Sequence, residues 1–226
     1  MSGLTKFFFS SVGAKVTMAV TGFLLFAFVV THMLGNWQVF SGPEKLNTYA
    51  EFLRAHAGLL WTARVGLIVC LVLHVWSASR LTLLNQGARP VDYVVKKSRQ
   101  AGLASRNMFL TGAMIFFFVL YHLLQFTFHV TNPQYQGFTE PSGRFDVYSM
   151  VVAGFSNFWI AAAYIIAMVL LGIHIWHGIS SMFRTLGITR PKYRSFWDGL
   201  GPVVATLIVI GEVSMPIAIL AGLVGR

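Results

Sequence analysis

The sequence predicts an all-α membrane protein of five transmembrane helices in a single domain, residues 1–226. Three observations carry this. First, charged residues make up only 11% of the chain against 56% hydrophobic, and the mean hydropathy is +0.67. A soluble domain carries about 25% charged residues. Too few charges remain here to cover a water-exposed surface, so the solvent for most of the chain is lipid. Second, five apolar runs reach the ~20 residues that a helix needs to cross the hydrocarbon core. Third, the basic residues gather in alternate connections, as the positive-inside rule requires.

The five runs are taken in order. The first extends from about Val16 to Phe40. It is too long for the apolar core of a signal peptide, and no Ala-x-Ala cleavage pattern follows it, so it reads as a retained span. The second, about Leu59 to Leu84, has Arg64 and Arg80 near its ends; Arg64 can snorkel to the nearer interface. The third covers about Asn107 to Val130, the fourth about Asn157 to Phe183, and the fifth about Leu200 to Val224. Lys6, Lys15, the connection from Arg80 to Arg106 and the connection from Arg184 to Arg194 together hold 12 of the 17 basic residues. The expected orientation is a cytoplasmic N-terminus and an external C-terminus, in a bacterial-type inner membrane. Pro43, Pro133 and Pro141 break helix in the two outer connections.

Composition also excludes chemistries. The single cysteine, Cys70, can neither close an intrachain disulfide nor hold an iron–sulfur cluster alone. No GxGxxG or P-loop pattern is present. The net charge of +10 sits in loops beside spans and there is no basic patch with an aromatic platform, so nucleic acid is not an expected partner; membrane lipid is.

Seven histidines are present, and four stand one per span: His32, His74, His122 and His174. A single intramembrane histidine is commonly a helix-to-helix hydrogen bond. Four in consecutive spans point to a site. At about 1.5 Å rise per residue, His32 and His122 lie roughly 24 and 22 Å from the cytoplasmic ends of their spans, and His74 and His174 roughly 14 Å from theirs. They sort into an outer layer, His32 with His122, and an inner layer, His74 with His174. Each layer draws two imidazoles from two helices, which is what bis-histidine ligation of a flat macrocycle iron requires. Small residues one turn away, Gly35, Ala78 and Gly178, would let helix backbones step back from such a ring, although small residues also serve plain helix packing. Arg184 and Arg106 can pair with haem propionates or act only as topology signals, with Arg184 preferred. His177, three residues after His174, is an alternative ligand, a propionate partner or an interfacial residue. His56 and His129 have no layer partner.

The motifs carrying these histidines are Thr31-His32-Met33-Leu34-Gly35-Asn36, Leu73-His74-Val75-Trp76, Leu120-Tyr121-His122-Leu123 and His174-Ile175-Trp176-His177-Gly178-Ile179, followed by Thr185-Leu186-Gly187-Ile188-Thr189. In this order they resemble the cytochrome b membrane-anchor subunit of succinate dehydrogenases and fumarate reductases, of the single-subunit, five-helix, dihaem type. The resemblance covers nearly the whole chain. It implies two haem b groups enclosed by the bundle, with the four matching histidines as axial ligands: His32 and His122 on the outer iron, His74 and His174 on the inner. It implies a flavoprotein and an iron–sulfur subunit on the cytoplasmic face, and a quinone, menaquinone being the expected species. Electrons then pass between the iron–sulfur partner and quinone, and this chain holds no dicarboxylate site. Some relatives carry a glutamate two residues before the fourth-span ligand; here that position is Gly172, and the only acid well inside a span is Glu212.

An outer quinone site is expected around Glu51, Arg54 and His56, where an acid, a base and a histidine fall within six residues beside an apolar run. The competing expectation is a solvated loop face with a surface ion pair. A pocket beside the inner haem is a further possibility. Rival readings of the whole chain are the cytochrome subunit of another quinone-linked enzyme, such as formate dehydrogenase or a bc-type oxidoreductase, a metal-dependent membrane hydroxylase, and a haem-free transporter. One histidine per span weighs against the bc type, which puts two ligands on each of two helices. The hydroxylase needs denser histidine clusters than the pair His174 and His177.

Overall fold

A computed structural model describes residues 3–88, 107–189 and 191–225. A short helix, α1 (Gly3–Phe8), precedes α2 (Ser11–Asn36), which begins where the Ser10 hydroxyl accepts the Gly13 N–H at 2.9 Å. A 3-10 turn over Trp37–Ser41 leads into α3 (Pro43–Ala55), with Pro43 at its first turn, where the missing N–H costs nothing. Then follow α4 (Ala57–Gly87), α5 (Met108–Phe126), α6 (Val147–Phe155), α7 (Phe158–Thr185) and α8 (Arg194–Leu220). Five of these helices are long and apolar enough to span a membrane: α2, α4, α5, α7 and α8. The expected fifth span is shifted, since α8 begins at Arg194 rather than Leu200, and α5 ends at Phe126, short of Val130. The connection Arg89 to Arg106 lies outside the described residues, as does Arg190.

Four spans form a square. α2 packs on α4 and on α7, and α5 packs on α7 and more sparsely on α4. α2 and α5 therefore face each other across one diagonal, α4 and α7 across the other. The fifth span, α8, lies against α7 in the most extensive helix pair of the molecule. Lipid offers no hydrophobic driving force between helices, so close approach over small residues has to supply the attraction. Gly172 sits directly against Val209, and Gly201 against the Trp176 carbonyl, where any Cβ would collide. A glutamate at position 172 has no room. The most apolar stretch of α4 contains no buried residue; Val65, Ile68, Val69 and Val72 face outward as a lipid-facing surface must.

One end of the bundle is closed by a polar clasp between α3 and the segment leading into α6. Asn47 is fully buried, donates to Glu140 at 2.7 Å and Asp146 at 2.9 Å, and accepts the Tyr148 N–H at 2.9 Å. The Arg144 guanidinium reaches Glu44 at 2.8 Å, Glu140 at 2.5 Å and Glu51 at 3.5 Å. Its hydrogen bonds hold the Glu44 and Glu140 carboxyls below the usual carboxylate range. Burial alone would push Asp146 up, but hydrogen bonds from Ser149 and Asn47 bring it below its ordinary value. A carboxylate whose pKa falls on folding stabilises the fold above its unfolded pKa and loses that contribution as pH drops through the folded value. The clasp is thus expected to hold at neutral pH and to loosen below about pH 4. Amide exchange of residues 43–55 and 140–155 from pH 7 to pH 3, corrected for intrinsic rates, checks this; constant protection across the range would contradict it.

Candidate functional site

The four intramembrane histidines meet across the diagonals of the square. The rings of His32 on α2 and His122 on α5 have centroids 5.7 Å apart at 75°, and those of His74 on α4 and His174 on α7 are 6.4 Å apart at 63°. A metal–imidazole bond is about 2.0 Å, and a ring nitrogen lies about 1.1 Å from its centroid, so two imidazoles on opposite sides of one metal would have centroids about 6.2 Å apart. The inner pair stands at that spacing, and the outer pair is about half an ångström short of it.

The hydrogen bonds assign a proton position on each ring. His74 Nδ1 lies 3.1 Å from the Met18 carbonyl, which can only accept, so it is protonated there. His174 Nδ1 lies 3.2 Å from the Thr111 hydroxyl, whose own proton goes to the Asn107 carbonyl at 3.0 Å. His122 Nδ1 lies 3.2 Å from the Tyr164 hydroxyl, which donates to Gln125 Oε1 at 3.0 Å. With the Thr111 and Tyr164 protons placed on the Asn107 carbonyl and Gln125 Oε1, Nδ1–H is the donor in all three and the Nε2 lone pair is left for a ligand, as in histidines that bind metals. His32 differs: the Asn36 amide Nδ2–H, one turn on in the same helix, donates to its Nδ1 at 3.0 Å, so there Nδ1 accepts.

Among the described residues no group of three or more His, Cys, Asp or Glu converges on one point. A bare ion would find only two protein donors in either layer. Each layer brings together two imidazoles from two helices, the donor set that the bis-histidine expectation needs. Ser77, three residues after His74 and fully buried, has a hydroxyl with no hydrogen-bond partner among the described residues, a polar atom near His74 that a ligand substituent would satisfy.

The other expected residues fall elsewhere. Gly35 is packed against the Tyr49 ring of α3, with Tyr49 Oη 2.8 Å from where its Cβ would be, so its small size admits that ring. Gly178 has open space around its missing Cβ. Arg184 is paired with Asp198 at 2.6 Å. His177 is half-buried and, among the described residues, makes no ring contact with His74. Glu51 pairs with Arg144 rather than Arg54, Arg54 lies over the Phe145 ring at 4.5 Å, and the His56 Nδ1–H donates to the Phe52 carbonyl at 2.8 Å. Each of these three groups already has a local partner. Arg106 lies outside the described residues.

Residues that the sequence reading passed over stand closest to the histidines. A Cβ on Gly22 would be 3.0 Å from His74 Cε1, and one on Gly112 would be 3.2 Å from His174 Cε1. Thr21 stands 3.3 Å from His74 Nδ1. The available signal was a pair of Thr-Gly dipeptides, each with its threonine eleven residues before a span histidine. Comparison with family models, curated proteins and solved structures returns no match for this chain.

Proposed function

We propose that this chain is the membrane cytochrome b subunit of a succinate:quinone oxidoreductase, holding two bis-histidine b-type haems and relaying electrons between a cytoplasmic iron–sulfur partner and a quinone. The observation that carries the haem part is the pair of diagonal histidine contacts, three of whose four rings have their Nδ1–H donated to an acceptor. The succinate part is carried by the ordered histidine motifs. Bound haem iron supplies one-electron chemistry by cycling between two oxidation states. The chain's own part is to hold two imidazoles per layer, to fix the protons of His74, His122 and His174 on Nδ1, and to keep water out with the apolar spans. Thr21 and Thr111 stand level with His74 and His174, and each lies eleven residues from the other layer's histidine on its own helix, so the two layers are about 16 Å apart along the helices, wider than the roughly 8–10 Å that the expected span ends gave.

The deciding experiment is a reduced-minus-oxidised optical spectrum with a haem-to-protein ratio on the purified chain. Two low-spin b-type components are expected; a colourless protein would return the chain to the transporter class. Purification in mild detergent is expected to bring down a flavoprotein and an iron–sulfur protein with succinate oxidation. Recovery with formate-oxidising partners would move the chain to that enzyme class. Reporter fusions are expected to place the N-terminus in the cytoplasm and the C-terminus outside, and an external N-terminus would reverse the order of the layers.

A further inference from the structure

The four histidine-bearing helices carry a repeat. Shifting α2 by 90 residues onto α5 superposes Thr21-Gly22 on Thr111-Gly112, Phe28 on Phe118 and His32 on His122. Shifting α4 by 100 residues onto α7 superposes His74-Val75-Trp76 on His174-Ile175-Trp176. The structure keeps the equivalence. Phe28 contacts His32 at 5.3 Å and Phe118 contacts His122 at 6.2 Å. Thr21 of α2 faces His74 of α4, and Thr111 of α5 faces His174 of α7, at 3.3 and 3.2 Å. Two helical hairpins therefore present the same device, in which a Thr-Gly on the rising helix meets the histidine on the returning one.

We propose that Thr21 and Thr111 are positioning residues for the inner histidine pair, each hydroxyl accepting Nδ1–H so that Nε2 is aimed across the bundle at a shared haem iron. This rests on the dihaem reading. Each hydroxyl has already given its own proton to the backbone one turn earlier, Thr21 to Thr17 at 2.7 Å and Thr111 to Asn107 at 3.0 Å, so only its lone pairs face the ring. The adjoining glycine lets the ring edge approach to a distance that a methyl group would crowd. The two sites differ in one respect. His74 keeps a second acceptor, the Met18 carbonyl at 3.1 Å, whereas Thr111 is the one acceptor found for His174 Nδ1 among the described residues. The effect of removing the hydroxyl is therefore graded.

The test uses the full chain with its co-purifying partners, as wild type and as Thr111→Val, Thr111→Ser and Thr21→Val. The readouts are haem-to-protein ratio, the low-spin electron paramagnetic resonance signals and the midpoint potential of each optical component. Removing an Nδ1–H acceptor makes the imidazole a poorer electron donor to iron. Thr111→Val is expected to raise the potential and shift the signal of one haem component, to weaken its retention by about 10- to 100-fold, and to leave the other component as in wild type. Thr111→Ser keeps the hydroxyl and is expected to match wild type. Thr21→Val is expected to show a smaller shift in the same component, and it serves as the second test if Thr111→Val does not accumulate. Two unchanged components in both valine variants, on a wild type that holds two haems, overturn the positioning role while the dihaem reading stands. A wild type without haem overturns the dihaem reading and this role with it.

Discussion

Replacing His174 with alanine is expected to halve the haem-to-protein ratio, leaving one low-spin component. His174 is the fourth-span ring that meets His74, and its Nδ1 is held by Thr111. Its loss leaves His74 as the sole protein donor of the inner layer, while the His32 and His122 pair keeps its own supports from Asn36 and Tyr164. His177→Ala is the matched control and is expected to retain both haems. Measuring haem by pyridine haemochrome against protein mass separates the cases. One haem lost in His177→Ala and none in His174→Ala would transfer the ligand role to His177.

The second large effect is expected far from the histidines, at Asn47. Its amide donates to two carboxylates and accepts one backbone N–H, all from a segment about a hundred residues away, and the side chain is fully buried. Asn47→Leu removes both donors and leaves the Tyr148 N–H without its acceptor. An unsatisfied buried group costs about 1–3 kcal/mol and lost bonds to charged partners add to that, so the folded state is expected to lose about 3 kcal/mol or more. Asn47→Asp is expected to be worse, because it places a third carboxylate beside Glu140 and Asp146. Thermal denaturation in detergent measures both variants; an unchanged midpoint in Asn47→Leu would show that the clasp contributes little.

The five spans were legible because a membrane span is a length-and-polarity problem, solved residue by residue from apolar runs. The pairing of the histidines was legible because relative depth follows from helix rise; the rings meet in the pairs that depth gives, although the separation of the layers was underestimated because the helices run past the apolar runs, from Ser11 rather than Val16 and to Gly87 rather than Leu84. Azimuth is what the sequence left open. Gly35 shares a helical face with His32, yet that side of the glycine is taken by Tyr49, from a helix whose position no periodicity reveals. The glycines that touch histidines lie on other helices from the rings they touch, so a search one turn from each histidine passes over them. The helix α6 was missed for a related reason: nine residues in the connection between the third and fourth spans are too few for a span, and its N-terminus is marked only by Asp146, whose carboxylate accepts the Ser149 N–H at 2.9 Å. Arg144 and Glu51 find each other only in three dimensions.

The clasp has a bearing on biogenesis. Asn47 belongs to the connection after the first long helix, whereas Glu140, Asp146 and Tyr148 belong to the connection after the third. As the chain threads into the bilayer, Asn47 crosses to its final side well before its partners are synthesised, and until then its amide is hydrated by water at the interface. The bonds close only when α5 has inserted in the same direction as α2. If α5 enters upside down, Glu140 and Asp146 are delivered to the opposite face of the bilayer, and Asn47 stays unpaired. The contact therefore discriminates between correctly and wrongly threaded chains, and it does so through backbone topology alone.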